Sequence, residues 1–219
     1  MTHIFFDLDG TLTDPREGIV RSIEHALATL GYPIPEPAAL ESFIGPPLSA
    51  TFRRLLDTED DSIISAAISA YRSRFETLGM FENQVYPGIP EALAALRAKG
   101  FALYALTAKP KVYARRILEH FALDSHFVEI HGPDLEDLRY DKQSLLRRAL
   151  ADRNVDGARV AVVGDRGDDV LAARSNGAVA IAVTWGYGTP AELATAAPDH
   201  VVTSVEELLR CLESFGKPT

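Results

Sequence analysis

The chain has 219 residues, of which 47% are apolar and 24% charged, and its formal net charge is −9. This length and composition predict a packed globular protein and exclude a disordered or fibrous one. Acidic residues outnumber basic ones, and no cluster of basic residues could follow a nucleic-acid backbone. We therefore expect no nucleic-acid partner.

Membrane and export signals are not expected either. The chain runs from Met1 directly into an apolar segment with no basic stretch before it, and no run of about 18 apolar residues follows anywhere. The single cysteine, Cys211, has no partner for a disulfide, which fits a reducing compartment. The sequence therefore predicts a cytoplasmic protein with no membrane span.

The first part of the chain predicts one strand followed by a block of helices. Apolar residues 4–6 form the opening strand, and near-helical apolar spacing recurs over 18–30, 48–56 and 60–79. Gly31 marks the end of the first helix, and a proline-rich stretch separates it from the second. We expect residues 15–84 to form a helical domain inserted into a core made of residues 1–14 and 85–219.

From residue 85 onward, helices and strands are expected to alternate. Strands that are continuously apolar and that alternate with helices indicate a parallel sheet covered on both faces. The fold class is therefore α/β, a doubly wound, Rossmann-like parallel sheet with an inserted helical cap domain. The predicted helices cover 88–99, 111–121, 142–152, 170–175, 191–196 and 205–215, and the predicted strands cover 101–107, 126–130, 159–165, 178–183 and 200–204.

Oxygen-bearing side chains follow three of the predicted strands. Asp7 and Asp9 follow the first strand, Thr107 ends the strand at 101–107, and Asp165 ends the strand at 159–165. In open α/β sheets, ligands bind beyond the carboxyl ends of the strands. We expect these side chains to meet at that edge.

Carboxylates gathered from separate strands require a cation, because like charges in a partly buried site cannot all remain ionised. Mg²⁺ fits best, since it takes oxygen ligands and is commonly held by one or two carboxylates together with a substrate phosphate. The six histidines show no pair at metal-ligand spacing, which disfavours zinc and copper.

Four motifs carry a resemblance to a known family. The stretch "DLDGTLTD", the strand-ending Thr107, Lys142 and "GDRGDD" are similar, in this order, to the four motifs of the haloacid dehalogenase superfamily of phosphohydrolases. The helical insertion, "YPGIPEALAALRAKG" and "TWGYGTPAEL" resemble the phosphoglycolate phosphatase-like members, which have a helical cap. The resemblance spans nearly the whole chain.

The resemblance implies a role for each matching residue. Asp7 would be the nucleophile that forms an aspartyl-phosphate, and Asp9 would protonate the leaving oxygen and later activate water. Thr107, the backbone N–H of Ala108 and Lys142 would hold the phosphoryl group. Gly10 would permit the sharp turn that aims both carboxylates. The implied Mg²⁺ ligands are Asp7, Asp9 through its backbone carbonyl, Asp165 and Asp169.

Some positions leave alternatives open. Many relatives have proline after the motif lysine, whereas Gln143 follows Lys142, and the next candidates are Lys109 and Lys111. The spacing from Asp165 favours Asp169 over Asp168 as the metal ligand, with Asp168 as a helix cap.

Further interpretations involve no chemistry at all. Thr107 could cap the following helix, and Lys142 could be an exposed helix residue. In "TWGYGTP", Trp185 is interpreted as a packing residue, and Gly186 and Gly188 as turn residues.

The predicted function is a Mg²⁺-dependent phosphatase for small-molecule phosphate monoesters, such as phosphoglycolate or a related metabolite. A phosphomutase of the same fold is the first alternative, and a phospho-accepting signalling domain is the second. A carbon–halogen hydrolase is disfavoured because it needs neither Asp9 nor Mg²⁺. The expected partner is a small phosphate ester, and the expected oligomeric state is a monomer or a homodimer.

Overall fold

A computed structural model describes residues 2–135 and 141–215 of the chain. The chain forms two compact units, one from Met1–Asp14 together with Val85–Thr219 and one from Pro15–Gln84. A two-stranded sheet is formed by β2 (Thr13–Asp14) and β3 (Gln84–Val85).

Six strands of the first unit form one parallel sheet within the part of the chain that the structure describes. Their spatial order is β5-β4-β1-β6-β7-β8, and every adjacent pair runs parallel. The doubly wound α/β fold is thus confirmed. The strands are β1 (His3–Phe6), β4 (Ala102–Leu106), β5 (Glu129–His131), β6 (Val160–Gly164), β7 (Val179–Val183) and β8 (His200–Val202).

Strand β1 lies at the centre of the sheet, between β4 and β6. Its last residue, Phe6, lies opposite Ala105 of β4 and Val163 of β6, so the three strands end nearly level. All five residues of β6 are buried, as expected for a strand covered on both faces. The residues that follow these three strands therefore emerge side by side at one edge.

The described residues of the first unit contain six helices, and side chains cap several of them. The Asp141 carboxylate accepts a hydrogen bond from the Ser144 N–H at 2.7 Å, which satisfies one of the unpaired donors at a helix start. The helices are α5 (Ile89–Ala98), α6 (Lys111–His120), α7 (Lys142–Ala151), α8 (Gly167–Ser175), α9 (Pro190–Ala196) and α10 (Val205–Ser214).

Two predicted boundaries need correction. The strand expected at 126–130 is Glu129–His131, because Asp124–His126 forms a 3₁₀ turn and β5 pairs only with the second half of β4. The helix expected at 170–175 begins earlier, at Gly167. The Asp169 carboxylate accepts a hydrogen bond from the Arg166 N–H and so caps the first turn of this helix.

The last helical turn of the second unit ends at Gly79, and β3 begins at Gln84. Aromatic side chains form part of its core, with Phe52 edge-on to Tyr71 and Tyr71 stacked on Phe75. Its helices are α1 (Arg16–Leu30), α2 (Pro37–Leu40), α3 (Leu48–Leu56) and α4 (Asp61–Arg74). A 3₁₀ turn at Glu41–Phe43 follows α2, and a π-helical turn at Phe75–Gly79 follows α4.

Across the described residues, the helices are all too short or too polar to span a lipid bilayer.

Candidate active site

Asp7 is the first residue beyond β1, the central strand. Its backbone N–H continues the sheet pairing by donating to the Val163 carbonyl at 2.9 Å, which fixes its position. Its side chain is buried, and its Oδ1 accepts a hydrogen bond from the Leu8 N–H at 2.8 Å. The sequence thus places a carboxylate, held by backbone contacts, at the middle of the sheet edge.

Asp7 belongs to a buried group of three carboxylates. Asp165 follows β6, and Asp169 lies in the first turn of α8. One oxygen from each of Asp7, Asp165 and Asp169 lies within 4.8 Å of the others. Asp168 is exposed, whereas Asp169 is buried, so the helix start turns Asp169 toward the group. This geometry suits a cation with oxygen ligands.

The electrostatics of this acidic group also favour a cation. Burial raises the pKa of Asp165 to about 6, and the nearby Asp7 carboxylate adds to the shift. Burial likewise raises the pKa of Asp169, although the Lys142 ammonium opposes that shift. The protein alone therefore disfavours the fully ionised form of these side chains. A divalent cation would stabilise that form.

Lys142 bridges two members of the acidic group. Its Nζ lies 3.1 Å from Asp7 Oδ2 and donates to Asp169 Oδ1 at 2.6 Å. The side chain is buried, so the interpretation of Lys142 as an exposed helix lysine is wrong. One ammonium among three carboxylates leaves the group negative, which is consistent with an additional positive ion at the site.

Asp9 lies outside this group of three. Lys109 Nζ contacts both of its carboxylate oxygens, at 2.8 Å for Oδ1 and 2.7 Å for Oδ2. Both side chains are buried. Burial raises the pKa of Asp9, and the Lys109 ammonium opposes the rise. The Asp9 side chain is therefore held apart from the acidic group in an ion pair.

Sequence reasoning did not assign Lys109 to the site and named it only as a substitute for Lys142. The signal that could have found it is its position two residues after Thr107, in the loop that follows β4. A lysine in that loop can bring an ammonium to the same sheet edge as Asp9.

Thr107 and Ala108 lie in this loop between β4 and α6. Thr107 is buried, its N–H donates to the His131 carbonyl at 3.0 Å, and its Oγ1 accepts from the Lys109 N–H at 3.2 Å. Helix α6 begins only at Lys111, after Pro110, so the interpretation of Thr107 as the cap of α6 is wrong. The Thr107 hydroxyl orders the loop that carries Lys109.

Asp165 is held at both of its oxygens. Thr11 Oγ1 donates to Oδ1 at 3.2 Å, and the Tyr187 N–H donates to Oδ2 at 2.7 Å. Gly10 adopts a φ of 82°, and a Cβ there would lie 2.3 Å from Asp165 Oδ2. The turn therefore requires glycine for its conformation and for the space it leaves to the carboxylate.

Gly186 also leaves space for Asp165, which its interpretation as a turn residue did not capture. A Cβ at Gly186 would lie 2.3 Å from both Asp165 Oδ2 and the Gly10 carbonyl oxygen. Because both neighbours are held by the surrounding chain, we expect Gly186→Ala to lower the free energy of unfolding by about 1–3 kcal/mol. Urea denaturation followed by circular dichroism measures the loss.

Gly167→Ala is the matched control for this prediction. A Cβ at Gly167 meets its nearest atom, Glu192 Cγ, at 3.3 Å, and the residue opens helix α8. We expect a change within about 0.5 kcal/mol there. Equal losses for the two variants would contradict the argument that Gly186 is needed for close packing against Asp165.

Comparisons with known proteins show the family of the chain. Residues 4–183 match the family model described as "Haloacid dehalogenase-like hydrolase". The chain therefore belongs to the haloacid dehalogenase-like hydrolases, and the family resemblance found in the sequence is confirmed. This membership makes the protein an enzyme of the hydrolase class.

Three proteins are similar to the chain over most of its length. It is 44% identical to a 5'-nucleotidase of Pseudomonas aeruginosa, covering 97% of this chain and 96% of that protein. It is 33% identical to a phosphoglycolate phosphatase of Cupriavidus necator, covering 94% of this chain and 91% of that protein. The solved structure of Mycobacterium tuberculosis Protein Tyrosine Kinase A is 38% identical, with a TM-score of 0.83 over 96% of this chain and 97% of that one.

Proposed function

We propose that this protein is a Mg²⁺-dependent phosphatase that hydrolyses small-molecule phosphate monoesters through an aspartyl-phosphate on Asp7. The observation that carries the proposal is the buried acidic group at the sheet edge, in which Lys142 contacts both Asp7 and Asp169. Hydrolase family membership and relatives named as phosphatase and nucleotidase support it. The unit Pro15–Gln84 would be the cap, and the other unit the catalytic core.

The metal ligands in this proposal are oxygen atoms of four aspartates. Their oxygen chemistry matches the preference of Mg²⁺, and the raised pKa of Asp165 indicates a need for added positive charge. Bound Mg²⁺ would neutralise charge on the phosphate and on the carboxylate that attacks it. The residues that would hold it are the side chains of Asp7, Asp165 and Asp169 and the backbone carbonyl of Asp9.

Asp7 is suited to act as the nucleophile because it is ionisable and fixed in position. One of its oxygens would attack phosphorus in line with the leaving oxygen, forming the Asp7–phosphorus bond as the ester P–O bond breaks. Thr107, the Ala108 N–H and Lys142 would hold the equatorial oxygens. Lys142 already contacts Asp7 Oδ2 and would add positive charge beside the transferring group.

Asp9 would give a proton to the leaving oxygen and then take one from the water that attacks the phosphoryl-enzyme. Its pairing with Lys109 occupies both of its oxygens. Asp9 would therefore have to exchange one of these contacts for the leaving oxygen and take up a proton from solvent when substrate binds, which the raising of its pKa by burial favours. Lys109 is a positioning residue in this scheme, since its contacts fix the orientation of the Asp9 carboxylate.

Phosphoglycolate and nucleoside 5'-monophosphates are the substrate classes suggested by the names of two relatives. The substrate would be a small phosphate ester present in the cytoplasm. The protein would act there as a monomer or a homodimer. A phosphomutase would use the same aspartyl-phosphate but return the phosphoryl group to the substrate. Its product would be an isomer rather than free phosphate.

The test is phosphate release from p-nitrophenyl phosphate, phosphoglycolate and nucleoside 5'-monophosphates. We expect release with Mg²⁺ and its loss, by at least about 10²-fold, when the metal is removed with EDTA. Activity should return when excess Mg²⁺ is added. Release that is unaffected by EDTA would contradict the metal proposal, and isomerisation without phosphate release would favour the mutase.

A further inference from the structure

The segment Trp185–Tyr187, between β7 and α9, contacts the candidate metal site through its backbone. The Tyr187 N–H donates to Asp165 Oδ2 at 2.7 Å. Gly186, one residue earlier, leaves the space that Asp165 fills. The position of Tyr187 therefore fixes one of the two contacts that orient the Asp165 carboxylate.

The Tyr187 side chain contacts a different part of the first unit. Its hydroxyl donates to Asp14 Oδ1, and Asp14 is the last residue before the chain leaves this unit. One residue thus joins a candidate metal carboxylate, through its backbone, to Asp14, through its side chain.

Two further contacts attach the same segment to neighbouring turns. Trp185 Nε1 donates to the Thr11 carbonyl at 3.2 Å, while the Thr11 hydroxyl donates to Asp165. Tyr86, where the chain has re-entered the unit, packs edge-on against Trp185 with ring centroids 6.4 Å apart. Hydrogen bonds from Thr11 and Tyr187 therefore orient Asp165. Trp185 connects these two residues, because it is hydrogen-bonded to the Thr11 carbonyl and lies two positions before Tyr187.

We propose that Tyr187 is a positioning residue for the metal site, in which its hydrogen bond to Asp14 holds its backbone N–H against Asp165. This inference rests on the proposed metal-dependent function and extends it to Tyr187, which lies outside the four motifs. Groups that orient metal ligands commonly affect metal affinity by about 10–100-fold when removed. Tyr187→Phe removes the hydroxyl that donates to Asp14 and keeps the aromatic ring, so it tests this contact.

The first experiment measures Mg²⁺ affinity by isothermal titration calorimetry for the wild type, Tyr187→Phe and the control Tyr32→Phe, which lies in the other unit. We expect Tyr187→Phe to weaken Mg²⁺ binding by about tenfold and Tyr32→Phe to leave it unchanged. Thermal melting verifies that all variants are folded. A purely structural role would lower the melting temperature of Tyr187→Phe and leave its Mg²⁺ affinity unchanged, which would overturn the inference.

A double-mutant cycle with Asp14→Ala tests the proposed route. If Tyr187 acts through Asp14, Tyr187→Phe should cost about tenfold in Mg²⁺ affinity in the wild type and less than about twofold in the Asp14→Ala background. The Asp14 charge is absent from both proteins of the Asp14→Ala pair, so its loss cancels in the comparison within that pair. An equal loss of Mg²⁺ affinity in the two backgrounds would overturn the proposal that Tyr187 acts through Asp14.

Trp185 provides an independent readout, because it is the chain's single tryptophan. We expect its fluorescence to change on Mg²⁺ addition, with a midpoint at a higher concentration for Tyr187→Phe than for the wild type. If the wild type binds no Mg²⁺, the proposed function fails. If it binds Mg²⁺ and the midpoints coincide, only the role of Tyr187 fails.

Discussion

Replacing Asp7 with asparagine is expected to lower kcat/KM for p-nitrophenyl phosphate by at least about 10³-fold. A neutral amide cannot supply the oxygen nucleophile, and removing the nucleophile of a covalent mechanism leaves only the contribution of binding and electrostatics. Asparagine is nearly isosteric, and its Oδ1 can still accept the Leu8 N–H bond made by the native side chain. Steady-state phosphate release measures the effect, and circular dichroism verifies the fold.

Asp168→Asn is the matched control for Asp7→Asn. It removes the same charge at an exposed position beside Asp169, so the net charge of both variants is equal. We expect its activity to stay within about twofold of the wild type. Wild-type activity in Asp7→Asn would rule out Asp7 as the nucleophile, and a large loss in Asp168→Asn would assign the effect to net charge instead.

The sheet and the convergence of the acidic residues could be predicted from the sequence for a simple physical reason. Parallel strands that are apolar throughout end at one edge, so Asp7 after β1 and Asp165 after β6 become neighbours whatever the loops do. The strand β5 was misplaced because its pairing covers only three residues of β4. A short edge strand leaves little periodic signal.

The contacts that orient the site could not be predicted from the sequence. The Lys109–Asp9 pair joins residues 100 positions apart, and in the sequence Lys109 alone looks like an ordinary surface charge. The approach of Gly186 to Asp165 depends on the path of a loop, for which glycine indicates only a turn. The motifs predict the candidate reacting groups. The contacts that hold these groups in place depend on tertiary packing, which the motifs do not describe.

Replacing Asp9 with asparagine is expected to lower turnover by about 10²–10⁴-fold, because the amide can neither protonate the leaving oxygen nor accept a proton from water. The loss should be larger for an alkyl phosphate than for p-nitrophenyl phosphate, whose leaving group departs readily without a proton. Lys109 Nζ can still donate to the amide oxygen of the variant, although its contact with the second Asp9 oxygen is lost. Initial rates on the two substrates measure the difference.

With p-nitrophenyl phosphate, the two steps of the reaction should separate in Asp9→Asn. Attack by Asp7 needs little help from Asp9 on this substrate, whereas hydrolysis of the aspartyl-phosphate loses its base. The phosphoryl-enzyme should therefore accumulate, giving a burst of p-nitrophenol close to one equivalent and the added mass of one phosphoryl group. The double variant Asp7→Asn with Asp9→Asn should give neither. A burst that persists without Asp7 would place the phosphoryl group on another residue and contradict the proposed mechanism.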